Sequence, residues 1–438
     1  MKTFFRRRDF LKTSLLASLA PMAVTRALGQ ASFPGPIRRE LFIQAPPHVS
    51  VHASCYYTER TGPRVLSIHQ YMSRSDTIDV AYFRYSADNG RTWANQNEVR
   101  TLEMRPDGKR RRAPRGCVVD PVTGRFVYFW CEGTLPTDDP LEGMWRWTVY
   151  HSISEDGGFN WYDSGEIIQN GPEFTAKHPL PGIWTGQNAI MIGDVASKPI
   201  VLSDGTFLVP VITTLIGPDG KYFNPGGGYT YTVAGVLRGR WAPDGRHLQW
   251  ELSQPVETDP ALTTRGTDEP TVAELPDGRV LMVIRGSNDG KPWLPGYRWV
   301  SYSSDQGRTW TKMKPWTYAN GENFYSPSAS SQLTVHSSGR IFWVGNISKT
   351  NIHGNNPRYP FIVGEVDRRT GLLQKETVRV VDDRGPGDSV KLALASPQVR
   401  EDRETGELVV NLTRWGALST DTVYEWTANA YLYHIPVV

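Results

Sequence analysis

Short apolar runs, each entered from a polar turn that carries glycine, set the rhythm of this chain. Six such entries stand at Glu59-Arg-Thr-Gly62, Asp120-Pro-Val-Thr-Gly124, Leu202-Ser-Asp-Gly205, Leu275-Pro-Asp-Gly278, His336-Ser-Ser-Gly339 and Asp402-Arg-Glu-Thr-Gly406. Each leads into a strand-like run such as Val280-Leu-Met-Val-Ile284. The glycines are 62, 81, 73, 61 and 67 residues apart. Glycine supplies the positive φ of a tight turn, and the aliphatic run after it reads as the second strand of a hairpin. Recurrence every seventy residues or so predicts one small antiparallel sheet per repeat.

A second pattern alternates with the first. Ser86-Ala-Asp88-Asn-Gly90-Arg-Thr-Trp93, Ser154-Glu-Asp156-Gly-Gly158-Phe-Asn-Trp161 and Ser303-Ser-Asp305-Gln-Gly307-Arg-Thr-Trp310 share one spacing, and degenerate copies stand at Asp244-Gly245…Trp250 and Asp367…Gly371. The aspartate can accept backbone N–H bonds across the turn while the tryptophan covers the neighbouring hairpin, so these are structural pins. Only the sixth repeat lacks such a turn. That is expected if Leu41-Phe-Ile43 near the start and Tyr431-Leu-Tyr-His-Ile435 near the end complete one sheet together and leave no open edge. The fold class expected is all-β, a six-bladed β-propeller of four-stranded blades with Asp-box turns over residues 31–438.

Composition agrees. Aromatic residues make up 11% and charged residues 21% of 438, a chain able to bury a core. Three cysteines exclude a disulfide-stapled scaffold. No apolar run long enough to span a bilayer follows the first thirty residues. Cys117 and Cys131 flank the Thr123 turn almost symmetrically, which would let them face each other, as a disulfide or as free buried thiols. Charge changes the picture more. Arg6-Arg7-Arg8-Asp9-Phe10-Leu11-Lys12, the apolar run Leu15 to Val24 and the small residues near Ala27 resemble a twin-arginine export signal over residues 1–30. Its removal turns a formal charge of +3 into −2, so nucleic acid is not an expected partner. The local run Lys109-Arg110-Arg111-Arg112 reads as a solvated loop.

Three complete Asp-boxes at propeller spacing resemble the sialidase (neuraminidase) superfamily and its bacterial BNR-repeat relatives. The resemblance implies an anionic sugar clamped by arginines, a tyrosine nucleophile activated by a glutamate, and an aspartate as acid/base. Asp268-Glu269-Pro270 to Arg285 looks like the family's Glu-to-Arg blade, and Asn355-Asn-Pro-Arg358-Tyr359 resembles the strand of its third arginine. His52 stands where the first arginine would be, as a proton-transfer group or a hydrogen-bonded rim residue. Asp76 falls at the acid/base position, with Asp79 a structural residue at the strand start. The strand Leu394-Ala-Ser396-Pro-Gln-Val399, where the nucleophile belongs, has no tyrosine. Lys198 and the Trp184-Thr-Gly-Gln187-Asn188 stretch precede the third hairpin and either line the pocket or pack between blades. Tyr325 lies nearby in the repeat order.

The leading expectation is therefore an exported, exo-acting sialidase-like glycoside hydrolase acting on a terminal acidic sugar. Glu269, Asp76 and His52 are its candidate catalytic residues, and Arg285, Arg358, Lys198, Tyr325 and Trp184 its candidate substrate-binding residues. The alternatives are a polysaccharide lyase or non-sialidase hydrolase on uronic-acid glycans, and a non-catalytic glycan-binding propeller. The expected partner is a glycan. The histidines lack metal-ligand spacing, so no metal or other cofactor is invoked. A monomer without an integral membrane segment, periplasmic or extracellular, completes the expectation.

Overall fold

The computed structural model describes residues 33–135, 145–186, 189–228 and 230–437. The expected leader lies outside these residues, as do Gln187 and Asn188. Six antiparallel sheets follow one another as blades. Blade 1 runs Ser50–Tyr57, Val65–Met72, Val80–Ser86 and Asn97–Val99 in sequence order. Blades 4 and 5 repeat the plan from Asp268–Glu274 and from Gln332–Val335. Blade 6 comprises Ala393–Glu401, Leu408–Trp415 and Ala430–Ile435, and its fourth strand is Arg38–Ile43 from the other end of the chain, with Leu41 opposite Tyr431. The ring closes through the two segments the sequence marks for it, and this is the expected six-bladed β-propeller.

The first strand of a blade packs beside that of the next, Ser50–Tyr57 touching both Ala393–Glu401 and Gly108–Val119. Neighbouring inner strands belong to different sheets, so side chains join their backbones. The Gln398 amide accepts from Cys55 N at 2.9 Å and donates to Cys55 O at 2.8 Å. Gln332 accepts from Val399 N at 2.9 Å, and the Thr271 hydroxyl accepts from Leu333 N at 2.9 Å. An unpaired buried backbone group costs about 1–3 kcal/mol, which makes these stitches part of the ring's stability. The apolar residues between blades form clusters, such as Phe129, Trp147, Phe207 and Trp250 between blades 2 and 3.

Two blades depart from the four-stranded expectation. Blade 3 takes on the short strands Ile190–Met191 and Ile200–Val201, both paired to Phe207–Thr213. Blade 2 adds Leu102–Arg105 against the start of Gly108–Val119, so the basic run at 109–112 is strand and not loop. Glu132 on the adjacent strand explains the change, since Arg110 Nε and Arg112 Nη2 donate to its carboxylate at 2.6 and 2.5 Å. Arg112 also lies over Trp130. The two cysteines do not face each other. A register shift between Pro114 and Gly116 sets Cys117 opposite Tyr128 and Cys131 opposite Ala113, and all three thiols are buried and free.

The Asp-boxes are turn locks. Asp305 Oδ1 accepts from Thr309 N and Arg308 N at 3.0 and 3.1 Å and from the Ser303 hydroxyl at 2.7 Å, while Oδ2 accepts from the Thr309 hydroxyl. The Ser303 hydroxyl also accepts from Gly307 N. Gln306 and Gly307 are both left-handed, at φ 58° and 79°, so the turn needs that network to hold a non-glycine residue there. Burial pushes the Asp305 carboxyl upward, but the hydrogen bonds from Thr309 and Ser303 prevail and hold it at about 2. Asp305→Ala is expected to lower stability by about 1–2 kcal/mol, measured by urea denaturation at pH 7. The loss shrinks as pH falls toward 2, because a depressed carboxyl stabilises only above its unfolded pKa and loses that contribution on protonation.

Candidate functional site

A cavity of about 850 Å³ opens at one end of the ring, between loops that follow or precede the inner strands. That is room for one or two sugar units. Residues from blades 1 to 6 reach it, among them His52, Asp76, Asp194, Glu269, Arg285, Arg358 and Trp415.

Blade 4 supplies its most tightly held charges. Asp268 lies opposite Arg285, and the register then slips before Thr271, so Glu269 bulges out of the ladder. Pro270 follows and has no N–H to give the ladder. Glu269 has φ 40°, a strained value for a residue with a side chain. Gly193 makes this position possible, because a Cβ there would stand 2.9 Å from Glu269 Cγ. Arg285 Nη1 lies 2.7 Å from Glu269 Oε1 and 3.8 Å from Asp268 Oδ2. Its Nε donates to the Ser328 hydroxyl at 2.8 Å and Nη2 to Asn355 Oδ1 at 3.2 Å. Arg358 shares these neighbours, donating from Nε to Asn355 O at 3.0 Å and from Nη2 to Ser328 O at 3.2 Å. The two arginines thus stand side by side. Burial raises the Glu269 carboxyl, but Arg285 and then Arg358 and Arg298 outweigh it, so its pKa is lowered and it stays ionised. Its second oxygen, Oε2, is buried and accepts no hydrogen bond among the described residues.

A second carboxylate behaves oppositely. Asp194 lies directly after Gly193 and accepts from Ala196 N at 2.9 Å and from the Ser396 hydroxyl at 2.8 Å. Burial, and next the charge of Glu269, raise its pKa. Ser396 is itself left-handed at φ 58°, in a bulge between Ala395 and Gln398. Its carbonyl accepts from His52 Nε2 at 2.8 Å. That bond places the proton of His52 on Nε2. Burial lowers the His52 pKa, so the ring is neutral at pH 7. His52 stacks on Trp415 with 10° between the ring planes.

Of the residues marked in the sequence, His52, Asp76, Glu269, Arg285 and Arg358 line the one cavity. Asp76 is exposed, has φ 56° and accepts from the Ser75 hydroxyl. Asp79 ties the loop by accepting from Ser73 N and its hydroxyl at 2.7 and 2.8 Å. Three expectations need correction. Lys198 does not line the cavity; it is sunk near Cys117 and Arg403, and burial lowers its pKa. Tyr325 stacks on Tyr297 at 5.8 Å instead of reaching inward. Trp184 folds over Gly186, with its N–H bonded to Thr214 O through the backbone. Lys198 and Tyr325 find partners across a blade boundary, while the Trp184 ring turns back on its own segment.

Asp194 is the residue that sequence reasoning missed. A signal existed, since it ends the apolar run Ala189-Ile-Met-Ile-Gly193 and stands eleven residues before Gly205, much as Glu269 stands nine before Gly278. Tyr424 and Trp426, from the segment between the second and third strands of blade 6, also line the cavity without having been marked. Among the described residues, no cluster of His, Cys, Asp or Glu is arranged to hold a metal ion, and no helix is long and apolar enough to cross a membrane.

The model of the BNR repeat-like domain matches residues 64–373. Among solved structures, a Dyadobacter fermentans protein of unknown function is 15% identical over 92% of this chain and 100% of its own, with a TM-score of 0.59. The NanB sialidase of Streptococcus pneumoniae is 12% identical over 90% of this chain and 70% of its own, with a TM-score of 0.56. An α-L-arabinanase of Penicillium chrysogenum, complexed with arabinobiose, is 15% identical over 92% and 100%, with a TM-score of 0.52. No curated protein matches the sequence. At these identities the structural likeness concerns the fold.

Proposed function

This chain belongs to the BNR repeat-like domain family, on a fold shared with sialidases and an arabinanase, and from that premise we propose that it is an exo-acting glycoside hydrolase that removes a terminal acidic sugar. The observation that carries the reading is the carboxylate pair. Asp194 and Glu269 lie in one cavity with their proton affinities pushed in opposite directions, the division of labour that glycoside hydrolysis requires. Asp194 keeps a proton and delivers it to the glycosidic oxygen as the C–O bond breaks. Glu269 is held ionised by Arg285 and is the carboxylate that acts on the anomeric carbon or on the water that adds there. One water is consumed, and the sugar and the alcohol leave separately. His52 holds Ser396, and through it the donor of the bond to Asp194. Asp76 faces Arg358 at the mouth and helps orient the incoming sugar.

The charge of the cavity supports an acidic substrate. Arg74, Arg115, Arg265, Arg285, Arg358 and Lys391 line it against four carboxylates, those of Asp76, Asp194, Asp268 and Glu269. A fixed excess of positive charge in a recessed site favours a carboxylate-bearing sugar. The export leader read at residues 1–30 belongs to the same proposal and would bring the enzyme to glycans outside the cytoplasm. A hydrolase for neutral terminal furanosides is the second reading. It is favoured by a pair of carboxylates in place of a tyrosine on 394–399 and by the full-length match to the arabinanase.

The test is a panel of 4-methylumbelliferyl glycosides comprising an α-sialoside, a β-glucuronide and an α-L-arabinofuranoside. Turnover of an acidic glycoside, lost in Glu269→Gln, is the expected outcome. Turnover of the arabinofuranoside alone would select the second reading. Unsaturated products from a uronate polymer would establish a lyase, and glycan retention without any turnover a binding module; either overturns the proposal.

A further inference from the structure

Arg298 opens the third strand of blade 4, Arg298–Ser303, and stands directly opposite Arg285 in the ladder. It is 1% exposed. Its Nε donates to the Ser326 hydroxyl at 3.0 Å, but Nη1 and Nη2 are buried without a hydrogen-bond partner among the described residues. The guanidinium lies 5.8 Å from the ring centroid of Trp343 on blade 5. Val300, two positions on and so on the same face of the strand, packs with Val283, Trp316 and Trp343. These surroundings suit an aliphatic side chain. A buried charge without a bonded counter-ion is strongly unfavourable, and like charges directly opposite across a ladder add to that. Burial and then Arg285 lower the Arg298 pKa to about 9, so it is still charged at neutral pH. The fold gains nothing from a cation here.

Glu269 is the carboxylate whose charge offsets Arg298, while Arg285 and Arg358 oppose it. The dependence is mutual, because Arg298 joins those two arginines in lowering the Glu269 pKa. Their other engagements differ. Arg285 is shared with Asp268, and Arg358 also feels Asp76 and Asp194. Among the described residues, Glu269 is the only carboxylate that acts on Arg298. Against the three arginines stand Asp268 on the same strand and Asp194 on blade 3, each of which favours a proton on Glu269. Arg265 acts on Asp268, and His52 with Arg115 completes the surroundings on the Asp194 side. Arg298 does not line the cavity, so it can influence a substrate only through another group. We propose that Arg298 is a positioning residue of this site, a buried cation that acts through the negative charge of Glu269 and is carried at a cost to the stability of the fold. What Glu269 does chemically rests on the hydrolase reading above; its pairing with Arg298 does not.

Two measurements test this. Urea-denaturation midpoints at pH 7 are compared for the wild type, Arg298→Met, Glu269→Gln and the double variant. Methionine fills much of the same space without charge. Arg298→Met is therefore expected to leave the midpoint unchanged or raise it, and to raise it more in the Glu269→Gln background, where the offsetting charge is gone. A midpoint lowered equally in both backgrounds, or a variant that does not fold, marks Arg298 as a packing residue and overturns the proposal. The second measurement is the pH dependence of kcat/KM on whichever glycoside of the panel is turned over. In Arg298→Met its acidic limb is expected about half to one pH unit higher, because Glu269 then takes up a proton sooner as pH falls. Arg298→Lys keeps the charge and should keep the wild-type limb. An acidic limb at the same pH in all three proteins sinks the idea. If no glycoside is hydrolysed, the hydrolase reading fails by itself, and the four midpoints still decide whether Arg298 and Glu269 are coupled.

Discussion

Asp194→Asn is expected to lower kcat by about 10²–10⁴ on substrates with a sugar leaving group, and by far less on aryl glycosides, whose phenolate departs without a proton. The contrast follows from the role proposed for Asp194. Burial and the Glu269 charge raise its proton affinity, and the variant has no carboxyl proton to donate. The same substitution should abolish the alkaline limb of the pH–rate profile, because that limb reports deprotonation of the acid. The acidic limb should remain, set by protonation of Glu269, whose pKa Arg285 lowers against the effect of burial. Equal losses on both substrate types would remove Asp194 from the donor's role. Retention of the alkaline limb would do so as well.

The second large effect falls on stability. Arg285 is buried with Asp268 and Glu269 beside it, and no substitution at this position can replace its five-donor fork. Arg285→Met leaves those carboxylates without their nearest cation and is expected to destabilise the fold by about 3–5 kcal/mol at pH 8. The pH dependence has a definite sign. In the wild type, the lowered pKa of Glu269 contributes stability above its unfolded pKa, and that contribution is lost as pH falls through the folded value. Without Arg285, burial dominates and the Glu269 pKa rises, so the variant gains on protonation. The wild-type advantage should therefore shrink steadily from pH 8 toward pH 4 in urea-denaturation midpoints. A pH-independent difference would show that packing, and not charge, accounts for the loss. Combining Arg285→Met with Glu269→Gln should cost less than the sum of the two single changes, since the substitutions share one interaction.

The architecture was legible because its signals are local. A glycine turn followed by an aliphatic run specifies a hairpin within a dozen residues, and an Asp-box carries donors and acceptor within one turn, as Asp156 with Phe159, Asn160 and Ser154 demonstrates. Glu269 and Arg285 were visible for the same reason, standing at the two ends of one hairpin. The basic run at 109–112 misled because its charge suggested solvent, and only the adjacent strand brings Glu132 against it. Lys198, Tyr325 and Trp184 misled because order in the repeat does not say which way a rim side chain turns. Asp194 went unmarked because an isolated acid after glycine is common, and its distinction comes from Ser396 and Glu269, on blades 6 and 4.

The sequence alone therefore determined the number of blades, the turns that pin them and the pair of terminal segments that close the ring, since period, turn chemistry and strand pattern act over short distances. Tertiary structure decided which charges share a cavity and in which direction their proton affinities move. His52 and Ser396 meet across 344 positions of chain, and the opposed proton affinities of Asp194 and Glu269 arise from desolvation and neighbouring charge, which exist only once blades far apart in sequence have been brought around one axis.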